Sequence, residues 1–193
     1  MSAPVEALQR MGLKLFAAEG TSIRPQAFVP VFHRWIQSRA IDAHLLIDVA
    51  DYDHVPDGPG VVLVAHEALF SLDCTAGRMG LAYTRKTALP GQLADRLRAL
   101  ARHTLLAGRR LEDDTAIRFR GDQLYFFAND RLHAPNTPDS FAALRPALLD
   151  VLRTLYGDVE CSLTPESDPQ QRLGAYIQVP GTVDIRRLLQ RLS

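Results

Sequence analysis

The apolar positions along this chain change period several times, and the changes mark its elements. Alternation over Leu13, Leu15 and Ala17, with Lys14 and Phe16 between them, predicts a first strand ended by Gly20-Thr21-Ser22. Residues 1–10 read as a loose lead-in or a short helical turn. From Pro25 the spacing turns helical, with Phe28, Val31, Phe32, Trp35 and Ile36 on one face. Pro30 falls inside this pattern, so it either kinks the helix or marks its true start.

Two strongly apolar runs follow, Leu45–Ala50 and Val61–Ala65, each the length of a strand. Gly58-Pro59-Gly60 turns the chain into the second run. Leu69–Cys74, a loop over Asp73–Arg78, and Met79–Arg85 complete an antiparallel meander over residues 60–86. A second helix starts near Pro90-Gly91, with Leu93, Leu97, Leu100, Ala101, Thr104 and Leu105 inward and Gly108 as its expected stop.

Ala116–Arg120 and Gln123–Ala128 flank Gly121-Asp122, a hairpin signal. Leu124, Phe126 and Ala128 share one face of the second run, and Tyr125 and Phe127 share the other, so this strand is expected to be covered on both sides or to lie against a partner. Asn129–Asn136 is a loop. Thr137 caps a third helix with Pro138 at its first position, Pro146 inside it and Gly157 past its end. Val159–Leu163 and Leu173–Val179 alternate as strands around a polar loop, and Thr182 is placed to cap a last short helix.

The expected fold is α+β, a mostly antiparallel sheet of hairpins and a meander with about four helices on one side. A helix followed by two strands recurs three times, and the helices at 25–38 and 138–156 share an early Phe and an internal Pro, a pattern open to internal duplication. A chain of 193 residues is read as one domain, with a division into halves near 86–112 as the alternative.

Charge narrows the function classes. Lys plus Arg equals Asp plus Glu at 22 each, which gives no basic excess of the kind nucleic-acid binders show. No apolar run approaches the roughly 20 residues of a membrane span, and no basic-then-apolar leader opens the chain. Cys74 and Cys161 lie far apart in strand-like runs and are expected to be reduced small hydrophobes. The expected location is cytoplasmic.

The most suggestive polar residues lie in and around the connection between the two apolar runs: Asp48, Asp51, Asp53, His54, His66 and Glu67. Carboxylates with neutral imidazoles suit a divalent metal, with Asp51, His54 and His66 as ligands. His54, His66 and Glu67 also suit acid–base catalysis. Position 70 is Phe, so His66-Glu67 does not open an HExxH pair. The alternative is plain turn and strand-edge hydrogen bonding. Arg78, Arg85, Lys86, Arg96, Arg98 and Arg102 form a basic group, and Arg85, Lys86 and Arg96 are the candidate contacts for a phosphate-bearing ligand. Asn129, Asp130, Arg131, His133 and Asn136 form a third polar group before the third helix.

The segments VPVFHRWIQ (29–37), HLLIDVADYDHVPDGPGVVLVAHE (44–67) and NDRLHAPNT (129–137) resemble a family of uncharacterised bacterial proteins of similar length. That family has no assigned activity, and the resemblance implies only a bacterial-type soluble protein. The functional expectation is therefore a non-catalytic binding module for a ligand or protein, self-associating or partnered, with a small metal-dependent or acid–base enzyme at Asp51, His54, His66 and Glu67 as the alternative.

Overall fold

The computed structural model describes residues 4–21, 23–52, 54–55 and 58–192. Its strands are β1 (Met11–Ala17), β2 (Leu46–Asp51), β3 (Val61–Ala65), β4 (Ala68–Asp73), β5 (Gly80–Arg85), β6 (Phe119–Ala128), β7 (Ser162–Pro165) and β8 (Gly174–Gln178). They form one antiparallel sheet in the order β2-β3-β4-β5-β1-β6-β8-β7. The helices α1 (Val29–Ser38), α2 (Leu93–Asp114), α3 (Pro138–Tyr156) and α4 (Ile185–Arg191) lie on one side of it.

Period-2 alternation decides which side chains meet those helices. Leu13 and Leu15 of β1, Leu81 and Tyr83 of β5, Leu124 and Phe126 of β6 and Ile177 of β8 join the helix-side core. Leu97, Leu100 and Leu105 of α2 and Leu148 and Leu152 of α3 complete it. Each such side chain contributes about 1.5–3 kcal/mol on burial. The Trp35 indole donates to Asp114 at 2.7 Å and so pins α1 to the end of α2.

The helix ends follow their local chemistry. A 3-10 turn over Pro25–Phe28 precedes α1, so Pro30 sits in the first turn and marks the start rather than a kink. Gln92 opens α2, its N–H bonded to Asp95 at 3.1 Å. Thr137 accepts the Ser140 N–H at 3.2 Å, as expected of a cap.

Four local expectations change. Gly121-Asp122 is not a hairpin turn: β6 runs unbroken from Phe119 to Ala128, and residues between Phe119 and Leu124 bulge out of the ladder with β1. The bulge is held from outside, by Gly121 N–H to the Val183 carbonyl at 3.0 Å and by the Tyr156 hydroxyl to the Gly121 carbonyl at 2.6 Å. The second helix is therefore followed by one strand, not two, and the threefold α-β-β pattern is not regular. Gly108 does not stop α2; it lies within the helix where Leu15 packs against it. Asp184, not Thr182, caps α4, accepting the Arg186 N–H at 2.8 Å. Cys74 and Cys161 are half-buried and not joined in a disulfide, flanking strands rather than lying in them.

No helix among the described residues is long and apolar enough to cross a membrane. At the β2 edge, the Asp48 carboxylate accepts the Val49 N–H at 2.7 Å. Carboxylates on an edge strand oppose pairing with another strand.

Candidate functional site

The face of the sheet opposite the helices carries a groove enclosing about 580 Å³. Small-molecule sites are typically about 300–1,000 Å³. Its floor is a set of rows that only the strand order creates. Ser71, Ala82, Lys14, Tyr125 and Tyr176 stand side by side across five strands. One row over lie Leu69, Thr84, Gly12, Phe127 and Gly174. On the other side lie Asp73, Gly80 and Phe16.

The glycines give the rings room. A Cβ on Gly12 would meet the Phe127 ring at 2.1 Å, and one on Gly174 would meet the Tyr125 hydroxyl at 2.4 Å. The rings therefore lean over bare backbone instead of standing up from the sheet. Phe16 and Phe127 are 5% and 3% exposed although α1 to α4 lie on the other face. Tyr125 stacks on Tyr176 with centroids 4.4 Å apart.

Charged side chains are fixed over this floor. Lys14, 3% exposed, bonds Asp73 at 2.7 Å. Burial lowers the Lys14 pKa, and Asp73 opposes that shift. The Arg78 guanidinium lies 3.8 Å over the Phe16 ring and donates to Gln123 at 2.7 Å. The Arg172 guanidinium lies 3.9 Å over the Phe127 ring, with Asn129 at 3.5 Å. Burial, and then the nearby Tyr176 and Glu166, push the Tyr125 hydroxyl up to about 12, so it stays protonated at neutral pH.

The polar group at 129–136 braces the groove wall. Asn136 donates to the Asp168 carbonyl at 2.9 Å, and Arg131 donates to the Gln170 carbonyl. His133 and Asp130 bond each other at 2.8 Å. The wall loop's own carboxylates cap its turns: Glu166 accepts the Asp168 N–H at 3.1 Å, and Asp168 accepts the Gln170 N–H at 2.9 Å.

The expected metal or acid–base cluster is not brought together. Asp51 pairs with Val61 at one end of the β2–β3 ladder, whereas His66 follows β3 at the other end. Five residues at about 3.4 Å each put roughly 17 Å between those ends. His54 lies beyond Asp51, exposed, its ring 6.4 Å from that of Tyr52. Glu67 accepts the Leu45 N–H at 2.9 Å. Burial opposes its charge, but the Leu45 N–H, its own N–H and the neighbouring His44 and His66 hold its carboxyl below the usual range. Asp53 lies outside the described residues, among which no three His, Cys, Asp or Glu side chains are placed to hold a metal.

The basic group is likewise dispersed. Arg85 is turned inward onto the Thr87 carbonyl at 3.0 Å and the Tyr83 hydroxyl at 3.3 Å. Arg96 is buried against the Gly91 and Glu6 carbonyls. Lys86 is exposed next to the inward-turned Arg85. Arg98 pairs with Asp95 and Asp150 on the helix surface. Of the six, only Arg78 lines the groove.

Sequence reasoning missed a second polar assembly, on the helix side. His44 Nε2 lies 2.9 Å from the Tyr83 hydroxyl, and its Nδ1 lies 3.0 Å from the Asp42 carbonyl. His103 of α2 packs edge-on against His44 with centroids 4.8 Å apart. Burial, followed by His44 and Arg85, pushes the His103 pKa down to about 4, and burial also lowers that of His44. The one available signal is that His103 falls in phase with Leu100 and Thr104 on the inner face of α2.

Fold and groove together define an α+β protein with helices on one sheet face and an aromatic, charged groove on the other. In comparisons with known proteins, no family, no curated protein and no solved structure matches the chain.

Proposed function

We propose that this chain is a non-catalytic binding module whose ligand seat is the open-face groove. The carrying observation is that the sheet face opposite the helices holds fixed aromatic and charged groups around about 580 Å³ of space. Lys14 is held by Asp73, Arg78 by Phe16 and Gln123, and Arg172 by Phe127 and Asn129. Groups already ordered lose little entropy when a ligand arrives. Lys14 and Asp73 occupy each other, and the guanidiniums are fixed hydrogen-bond donors with no acceptor, which suits holding a ligand. A cytoplasmic setting belongs to the same proposal, and two half-buried cysteines not joined in a disulfide suit a reducing compartment.

The test is a ligand-detected NMR screen of small aromatic and polar fragments against the wild type and Thr84→Trp. Thr84 stands on the groove floor, so the indole fills the space. Hits that vanish in the filled variant, with its near-UV circular dichroism unchanged, are the expected result. An absence of hits, or the same hits in both proteins, overturns the proposal.

A further inference from the structure

We infer that the groove takes an organic anion, a small molecule whose anionic oxygens dock on Arg78 beside Lys14 while its unsaturated body lies over Tyr125 and Tyr176. This rests on the binding reading above and names the ligand class for the same site.

Three observations point to this polarity. First, most of the charges around the groove are already engaged. Lys14 is matched by Asp73, and the Glu166 and Asp168 carboxylates accept backbone N–H groups of their own loop. Neither groove guanidinium has a salt-bridge carboxylate among the described residues: Arg172 lies on the Phe127 ring beside the Asn129 amide, and Arg78 lies on the Phe16 ring with the neutral amide of Gln123. They differ in surroundings, because Glu166 and Asp168 line the groove with Arg172, whereas the Asp73 carboxylate near Arg78 is taken by Lys14.

Second, Arg78 is held in place for the purpose. The Phe16 ring lies 3.8 Å beneath it and Gln123 ties one amino group at 2.7 Å, which leaves other N–H donors to take an anion. The Lys14 ammonium lies 5.4 Å from the same ring and adds a second positive charge to this end against the single carboxylate of Asp73. The other end is the reverse, with Glu166 and Asp168 beside Arg172. Phe16 and the Gly12 that faces Phe127 are four residues apart on β1, so the two guanidinium seats are roughly 14 Å apart.

Third, the seat adjoins a surface for an apolar body. Gln123 and Tyr125 share one face of β6, and Tyr125 stacks on Tyr176, which is 37% exposed. An anion on Arg78 thus has an aromatic platform within one diagonal step of the sheet, about 7–8 Å.

The experiment uses two fluorescent probes of nearly the same shape, 8-anilinonaphthalene-1-sulfonate and the uncharged N-phenyl-1-naphthylamine, titrated into the full chain. The anionic probe is expected to bind at least about tenfold tighter, and only its affinity to weaken as salt screens the charge. Arg78→Gln should weaken the anionic probe by about tenfold to a hundredfold, the scale of a lost charge-assisted hydrogen bond, and leave the neutral probe unchanged. Arg172→Gln, at the opposite end of the groove, should weaken the anionic probe less than Arg78→Gln does. Tyr176→Ala should weaken both alike; it changes a partly exposed side chain, so it keeps the body placement testable should Thr84→Trp fail to fold. Equal affinity for the two probes, an unaffected anionic probe in Arg78→Gln, or an equal loss in Arg172→Gln overturns the anion assignment while the groove still stands as a binding site. An unaffected pair of probes in Tyr176→Ala overturns the placement of the body. Probe binding undiminished in folded Thr84→Trp overturns the inference together with the groove as its seat.

Discussion

Replacing His103 with Phe tests the buried histidine assembly. The ring of His103 faces His44 at 4.8 Å and Tyr83 at 5.7 Å, and Arg85 and Arg102 supply positive charge nearby. Burial first, and then His44, Arg85 and Arg102, disfavour a positive charge on this ring, and the folded-state pKa falls to about 4 against 6.5 in the unfolded chain. The unfolded chain therefore takes up this proton first. Above pH 6.5 neither state is charged and nothing is lost; as pH falls from 6.5 towards 4 the folded state loses stability progressively. Linkage puts the loss at about 2 kcal/mol by pH 5 and about 3 kcal/mol by pH 4. Phe keeps a ring in the same place without the proton. Urea unfolding of both proteins at pH 7.5, 6 and 5 measures the difference, and stopping at pH 5 keeps most carboxylates ionised. The expected result is a wild type that loses about 2 kcal/mol more than His103→Phe over that interval. Parallel loss in the two proteins refutes the assignment, because the titrating group would then not be His103.

Two further predictions concern the groove. Gly12→Ala forces a Cβ into the Phe127 ring at 2.1 Å, and the ring must leave its place beneath Arg172; thermal unfolding should show a loss of about 1–3 kcal/mol, the usual cost of overpacking. Lys14 and Asp73 should respond unequally. Asp73→Ala leaves an ammonium buried without its partner and should cost about 3–5 kcal/mol, whereas Lys14→Met leaves a carboxylate that still bonds the Thr75 N–H and should be near neutral. Chemical denaturation of the two variants separates these outcomes, and equal losses would contradict the buried-pair reading.

The elements were legible where local chemistry decides them. Phe28, Val31, Phe32 and Trp35 fall on one helical face, and Thr137 with Pro138 marks the start of α3. Gly121-Asp122 misleads because a bulge and a hairpin draw on the same turn-forming residues. What separates them is the segment around Val183, which takes the Gly121 N–H and is some sixty residues away in the chain. Gly108 misleads for a related reason: a helix-stopping residue is also the residue that lets a side chain from a sheet come close, here Leu15.

The candidate site was legible only in fragments, because it is a product of strand order. Tyr125 and Phe127 opposite Leu124 and Phe126 led to the expectation of cover on both faces or contact with a partner, but the helices lie on one side only, and the second face carries the groove. Arg78 appeared among the basic residues, but in company with arginines that turn out to be braces. Lys14, between Leu13 and Leu15, reads as an ordinary outward residue of the first strand. It becomes a buried charge because β1, the first strand made, is inserted between β5 and β6. That insertion sets Lys14 beside Ala82 and Tyr125 and brings Asp73 within 2.7 Å across 59 positions of sequence. The polar connection after Leu45–Ala50 drew attention for the opposite reason. Its residues are close in sequence, but antiparallel pairing sends Asp51 and His66 to opposite ends of one ladder. In an antiparallel sheet, side chains meet across strands by register, so a tight run of chemically capable residues is weaker support for a site than single residues, each unremarkable, that one register row aligns.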